Sequence, residues 1–492
     1  MTRSSEAEVI VVGAGSAGCV VAARLAGSGR SVLLVEAGPD PGRDLDDTFH
    51  DGWNLPAGHD WGYEAEPDER GSVRTLRRGR LVGGTGWQTR FALRGAPSDF
   101  NAWAARGNPG WSFQDVLPWF NRVETDQDFG DAPWHGLDGP LPITRYPELR
   151  RSEIHEAILG AFLSAGFADV ADQNRPGATG VGPMPMNAIG GQRVTTADAW
   201  LPEGGRPATL VVRADTLVDA IVLDGDRTTG IRLADGTVLR AGAVVLCAGV
   251  FGSPAILLRS GIGSPAGLAA VGIRAQIDLP GVGENLADHP EVDLDPGWRG
   301  SGEAGPVLHS IATFRSASTG PEEPPDLLIW TADPGPGEET VSTDVVLMKP
   351  RSRGTVRLRS ASPVDAPVVA LPGLRDPADA VRLAEGVAIG VDVANRPALR
   401  RHCTETPAAR DRDALLEHVR GTWYSLPHLV GTCAMGPSPA DGAVVDASGK
   451  VHGVAGLAVV DASIIPEPPS GFPHLVTIMF AERLASRMVE GT

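Results

Sequence analysis

The sequence predicts an α/β fold of two domains, one assembled from separated segments and the other inserted between them. Three observations carry this expectation. A glycine-rich turn joins a strand to a helix near the start, short strands recur in mid-chain, and a Pro/Gly-rich loop leads into an apolar helix at the end. At 492 residues the chain also exceeds one ordinary core.

The first segment, "EVIVVGAGSAGCVVAARLAGSGRSVLLVEAG", reads as strand, turn, helix, strand. Residues 9–12 form an unbroken apolar run, as in a strand buried on both faces. Residues 17–25 suit a helix and residues 31–35 the next strand. Between them Gly13-Ala14-Gly15-Ser16-Ala17-Gly18 fits G-x-G-x-x-G. The first glycine permits the tight turn, the second lets backbone approach a pyrophosphate, and the third lets helix and strand pack closely. A pyrophosphate would then rest on the helix N-terminus, beside Ser16 and Ala17. Glu36, eighteen residues after Gly18 and followed by Ala37, ends the second strand, where a carboxylate would hold a ribose hydroxyl pair. The unit is thus Rossmann-like.

A loop-rich stretch follows to about residue 63. "FNAWAARGNPGWSFQDVLPWFNRVE" is helical in two pieces, broken at Asn108-Pro109-Gly110, and "RSEIHEAILGAFLSAGF" is a further helix. From residue 209 to 248 the period changes to successive short strands, with turns at Asp224-Gly225 and Asp235-Gly236. "DLLIWTAD" and "TDVVLMKPRSRGTVRLRS" suggest a second sheet, and "DPADAVRLAEGVAIGVDVAN" resumes helix. In "PSGFPHLVTIMFAERLASRMVEGT", Arg483, Ser486, Arg487 and Glu490 form one polar stripe on an otherwise apolar helix. His474 in its first turn faces unpaired N–H groups and the positive dipole end, a setting that keeps imidazole neutral. Residues 1–150, 205–290 and 438–492 form the cofactor domain in this division, and residues 151–204 and 291–437 the inserted one.

The balance of 43 basic against 61 acidic residues, a net charge of −18, argues against nucleic acid or an anionic membrane surface as partner. It suits solubility first and is compatible with a cationic substrate. No run is long enough to span a bilayer, and "MTRSSEAEVIVVGAG" enters a strand without a leader pattern, so a cytoplasmic protein is expected. Cys19, Cys247, Cys403 and Cys433 are scattered, which disfavours disulfides and structural zinc.

The glycine motif does not separate NAD from FAD, but later segments do. "RRGRLVGGTGWQTRFALRG", "LCAGVFGSPAILLRSGIG", "LPGVGENLADHP", "PHLVGTCAMG" and "GLAVVDASIIPEPPSGFPHLVTIMFAERLA" resemble, in that order, the glucose-methanol-choline (GMC) oxidoreductase family. The resemblance covers nearly the whole chain. It implies an FAD-binding α/β domain with a substrate domain built on an antiparallel sheet packed with helices. It also implies oxidation of an alcohol by hydride transfer to the flavin. Carried over by position, His428 of "HLVGTC" and His474 match the two active-site positions, the second being His or Asn in the family. Asp461 and Ala462 match residues beside the flavin, and Leu475 is carried with them. Val218 falls where a strand meets the adenine half, and Val82, Gly83 and Gly84 match the glycine pair near the isoalloxazine. The segment after that pair departs from the family: it reads Thr85-Gly86-Trp87-Gln88-Thr89, and residues 78–94 run one residue short. That stretch contains no histidine, so FAD is expected to be held without a covalent link there. Val250 also replaces a residue usually small.

Oxidising an alcohol requires removal of a hydroxyl proton while a hydride leaves carbon for flavin N5. A neutral imidazole suits the base, and a second polar group can orient the oxygen. His428 is the expected base and His474 its hydrogen-bonding partner. The other nine histidines receive no role, His135 and His289 included. Trp87, Trp423 and Tyr424 are candidate pocket walls or core residues. A sugar or glycoside hydroxyl is the first expected substrate, an amino sugar suiting the charge. A simple primary or aromatic alcohol is the alternative, with oxygen or another electron acceptor. Rival readings are a non-redox lyase on the same scaffold, a flavin binder without turnover, and a nicotinamide dehydrogenase.

Overall fold

The computed structural model describes residues 6–42, 55–68, 70–145, 153–202, 204–300, 309–334 and 338–491. Part of the loop-rich stretch before residue 63 lies outside the described residues. The first layer is a seven-stranded sheet. Glu6–Val12 lies parallel to Val32–Val35 on one side and to Val238–Leu246 on the other. Leu210–Arg213 adds a parallel strand beyond Val32–Val35, and Leu457–Val459 pairs parallel with Val238–Leu246. Parallel strands need both faces covered, which is why Ile10, Val11 and Leu34 are fully buried. Arg227–Leu233 and Val218–Asp224 continue the sheet antiparallel. Asp224 pairs with Arg227 across a two-residue turn whose Gly225 takes φ +60°, the left-handed value such hairpins require.

The second layer is a six-stranded sheet, antiparallel at every pairing. Its order is Tyr424–Ser425, Pro290–Asp293, Ser342–Leu347, Leu327–Ala332, His309–Phe314 and Gly180–Pro183. The two-residue period sorts its side chains. Leu327 and Ile329 pack with Leu383, Val387 and Val391 of helix Pro377–Ala394, whereas Leu328 and Trp330 join Met184, Met186 and Phe472 on the opposite face. Phe472 precedes the last helix, so that second face looks toward the first layer.

Helices Pro97–Ala105 and Phe113–Val123 are separated at the expected break, and Ser112 and Asp115 cap the second reciprocally. Helix Thr196–Trp200 belongs to a segment assigned to the inserted domain, yet Trp200 and Leu201 enter the core of the first layer. No helix among the described residues is long and apolar enough to cross a membrane.

The polar stripe of the last helix, Pro473–Glu490, is buried in part and exposed toward its end. Arg483 and Ser486 are buried, and the Arg483 guanidinium stacks 4.0 Å from the Trp111 ring centroid and donates to the Gly110 carbonyl. Glu482, fully buried, receives Arg24 at 2.7 Å and Arg122 at 2.9 Å. Helices Ser16–Gly27 and Phe113–Val123 pack against this one, so its polar groups become paired seams between helices.

His135 sits in a buried knot: Nδ1 lies 2.7 Å from Glu124 and 3.0 Å from Asp126, and Nε2 lies 3.1 Å from Asp172. Burial opposes its charge, but Asp172 and Glu124 outweigh that and raise its pKa. Arg94 and Arg145 already occupy the same carboxylates, which leaves a metal ion little to bind. The knot is a structural clamp.

Candidate active site

A cavity of about 500 Å³ opens between the two layers. It is lined by Gly13, Gly15, Ser16, Ala17, Glu36 and Ala37. Gly13 has φ +94°, and a Cβ there would lie 2.5 Å from the Cys247 carbonyl oxygen, so the turn admits only glycine. A Cβ on Gly15 would meet only the Gly84 Cα, at 4.0 Å. The N-terminus of helix Ser16–Gly27 therefore faces open space, and its N-cap Gly15 supplies no side-chain bond. Unpaired N–H groups, a positive dipole end and room for a ligand fit a pyrophosphate. Glu36 accepts from the Ala14 and Gly38 N–H groups at 2.9 Å each, while burial pushes its carboxyl up to about 7 against those bonds.

Val218, Gly84, Asp461 and Ala462 also line the cavity. The Asp461 carboxylate is spent within the protein, accepting from Gly249 N at 2.9 Å, the Ser253 hydroxyl at 2.5 Å and Ser463 N at 2.8 Å. Gly18, Val82, Gly83 and Leu475 do not line it. They support the wall instead: Gly83 N donates to the Ala14 carbonyl at 2.7 Å, Val82 accepts from the Trp87 indole at 2.8 Å, and Leu475 is core. The departing segment forms the short turn Gly84–Gln88, where a Cβ on Gly86 would face His474 Nε2 at 3.9 Å.

Both expected histidines line the same cavity. His474 is the second residue of its helix. Phe472 occupies the N-cap without a side-chain bond, and His474 Nε2 has no partner among the described residues, so the ring is not a cap. Its pKa falls to about 4, through burial first and Arg193 second. The lowered pKa agrees with the expected neutral ring, and burial is its largest cause. His428 is held well below the usual histidine range by burial, then by His289, Arg78 and His474. Its ring centroid lies 4.6 Å from that of Phe472.

His289 was given no role, and here the structure differs. Its Nδ1 lies 3.1 Å from His428 Nδ1, and burial followed by Lys349 brings its pKa to about 3. Strand Pro290–Asp293 starts beside it and pairs Pro290 with Ser425, near the His428 loop. That register, with the Ala287–Val430 bridge and the Leu426 N–H on the His289 carbonyl at 3.1 Å, brings the two rings together. The aromatic candidates fall elsewhere too. Trp87 is core, Trp423 carries Arg74 and Arg70 on its face at 4.8 and 5.5 Å, and Tyr424 bonds Asp344 and Asp293. The aromatic wall comes instead from Trp61, Tyr63, Phe91, Phe251, Trp330 and Phe472.

Comparison with known proteins decides the family. Residues 7–291 match the N-terminal model of the GMC oxidoreductases and residues 350–481 the C-terminal one. The chain is a GMC oxidoreductase. As such it is an FAD enzyme that oxidises alcohols, and the glycine turn with its open helix end fits that cofactor. Among similar GMC oxidoreductases is a 5-(hydroxymethyl)furfural oxidase from Methylovorus sp. (strain MP688), 33% identical over 532 aligned positions covering 98% of each chain. Another is an oxygen-dependent choline dehydrogenase from Pseudomonas savastanoi pv. phaseolicola, 32% identical over 99% of this chain and 94% of the other. The crystal structure of pyridoxine 4-oxidase from Mesorbium loti superposes with a TM-score of 0.89 at 29% identity, covering 98% of this chain and 99% of the other.

Because both Glu36 oxygens already serve backbone N–H groups, Glu36→Ala should cost more than one ribose contact. FAD retention should weaken by roughly 1–3 kcal/mol, the usual penalty for stranding hydrogen-bonded groups. The flavin-free protein should also melt lower, and titration of FAD with parallel melting curves checks both effects.

Proposed function

We propose that the chain oxidises a small primary alcohol with a flat, largely apolar body to its carbonyl. The observation carrying this reading is a pair of half-buried imidazoles lining the cavity beside a run of aromatic rings. From the His428 ring, Phe472 follows at 4.6 Å, Phe91 at 5.7 Å from Phe472, and Trp330 at 6.1 Å from Phe91. FAD, when bound, supplies the hydride acceptor at flavin N5. His428 takes the hydroxyl proton on Nε2 while its Nδ1 is engaged with His289. His474 steadies the substrate oxygen through its unpartnered Nε2. The aromatic wall excludes water and orients the alcohol body.

Relatives named for hydroxymethylfurfural and pyridoxine support such a substrate. A sugar hydroxyl would lean on the polar lining residues Gln88, Thr89 and Arg90. No feature of the described cavity favours the lyase reading. In this reading segments 1–150, 205–290 and 438–492 serve the cofactor, and 151–204 with 291–437 the substrate. Helix Thr196–Trp200, packed on the cofactor side, is the exception.

Anaerobic mixing of the yellow protein with furfuryl and benzylic alcohols should bleach the flavin, and air should restore or fail to restore it according to the acceptor. Bleaching by sugars with no response to the aromatic alcohols would overturn the substrate reading. Acid precipitation should release all flavin into the supernatant, since residues 78–94 offer no histidine for a covalent bond.

A further inference from the structure

His428 sits on a loop and His474 in the first turn of the last helix, and one ion pair ties down the loop that leads into that helix. The Asp99 carboxylate, 1% exposed, accepts from Ser470 N at 2.8 Å, the Ser470 hydroxyl at 2.6 Å, Ala96 N at 3.0 Å and the Lys349 ammonium at 2.8 Å. Lys349 also donates to the Pro468 carbonyl at 2.6 Å. Four residues beyond Ser470 stands His474, and Phe472 N is pinned to the Leu93 carbonyl at 3.1 Å. The loop into the last helix is therefore knotted to helix Pro97–Ala105 on one side and to the end of strand Ser342–Leu347 on the other.

The same knot forms the wall behind His289. The carbonyls of Met348 and Pro469, next to Lys349 and Ser470, face the His289 ring, though neither lies in hydrogen-bonding geometry to Nε2. We propose that Asp99 and Lys349 are positioning residues that seat His474 through its loop and fix the tautomer of His428 through His289. For His428 Nε2 to accept a proton from substrate, its own hydrogen must sit on Nδ1 and be donated to His289 Nδ1. His289 must then be neutral and an acceptor at Nδ1. The Lys349 charge, which disfavours a protonated His289, supports that state. Were His289 protonated, it would donate from Nδ1, turn the His428 hydrogen to Nε2 and remove the base.

The charged and titratable groups around this pair are Lys349 and Asp99 at His289, and Arg78 and His474 at His428. Asp288 adjoins them through the His289 N–H, which it accepts at 2.9 Å. Burial is the larger force keeping His289 neutral, and Lys349 acts in the same direction. Removing the ammonium therefore moves the His289 titration upward, and the acid limb of the reaction moves up with it.

This inference rests on the reading of His428 as base, so its test has a part independent of turnover. Nitrogen-15 histidine spectra of the resting, FAD-loaded enzyme, assigned with His289→Ala and His428→Ala, report tautomer and charge between about pH 5 and pH 8. Wild type should show both rings neutral, with the His428 hydrogen on Nδ1. Lys349→Met should mix the His428 tautomers and move the His289 titration upward, while Lys349→Arg should keep the wild-type pattern. With furfuryl alcohol, Lys349→Met should slow flavin reduction by about 10²-fold, the cost of misplacing reacting groups, and Lys349→Arg should recover most of it. If Lys349→Met fails to yield yellow protein, Ser470→Ala is the milder variant, losing one bond to Asp99 and showing the same changes in smaller degree. Unchanged histidine spectra in Lys349→Met, or in Ser470→Ala where it stands in, overturn the proposal. Normal flavin reduction in His428→Ala would overturn the reading beneath it instead, leaving the spectra to decide the tautomer.

Discussion

Flavin reduction in His428→Ala should be slower than wild type by ~10²–10⁴, the range for a positioned acid–base group. His474→Ala should fall in the same range, because its Nε2 has no other described partner and nothing would replace it at the substrate oxygen. The double variant should lose less than the product of the two factors, since groups acting on one atom are not additive. Asn at 474 should do better than Ala, because an amide still hydrogen-bonds the hydroxyl. FAD content should survive in all of them, since the expected cofactor contacts at Gly13, Gly15 and Glu36 are left in place. Anaerobic rapid mixing with a bleaching alcohol measures the rates. A near wild-type rate in His428→Ala with bound flavin intact would remove the proposed base.

Why the pair was readable while its support was not follows from distance along the chain. His474 announces itself locally, through a Pro/Gly loop running into an apolar helix. His428 has a local signature in "HLVGTC". His289 has neither. It meets His428 because the register of Pro290 on Ser425 brings two turns together, and no period within either segment encodes that pairing. The Asp99–Lys349 bond likewise joins residues 250 apart. The aromatic wall failed for a related reason. Alternation in "DLLIWTAD" separates Trp330 from Leu327 and Ile329, but which face meets a cavity depends on helix Pro377–Ala394 covering the other. Trp87, by contrast, spends its indole N–H on the neighbouring Val82 carbonyl and turns into core.

The polar stripe of the last helix has its own physics. Arg483 and Ser486 follow the spacing of a solvent face, yet the helix is enclosed by neighbours that supply Trp111, Arg24 and Arg122 as partners. Spacing alone does not distinguish water from a partner helix as the receiver of a charge. The glycine turn suffers no such ambiguity, because each glycine there answers a demand of the backbone itself.

That demand sets the second large effect, Gly18→Ala. A Cβ at this position would lie 1.8 Å from the Gly13 carbonyl oxygen and 2.9 Å from its carbon, both backbone atoms that cannot rotate away. Ordinary contact begins near 3.4 Å, so helix Ser16–Gly27 must lift off its strand by 3.4 − 1.8, about 1.6 Å. Overpacking of this kind costs about 1–3 kcal/mol or more. The displacement would carry the helix N-terminus from the place where a pyrophosphate would sit, and would disturb its packing on Pro473–Glu490, which presents His474. Loss of most bound FAD and a clear drop in melting temperature are therefore expected, read as flavin-to-protein ratio and thermal unfolding. Gly27→Ala is the control. It ends the same helix, has nothing within 4 Å of the added carbon, and trades glycine for a better helix former, so it should keep its flavin and melt no lower. Full yellow colour with wild-type melting in Gly18→Ala would mean that strand and helix are not held in the contact that makes this turn a cofactor site.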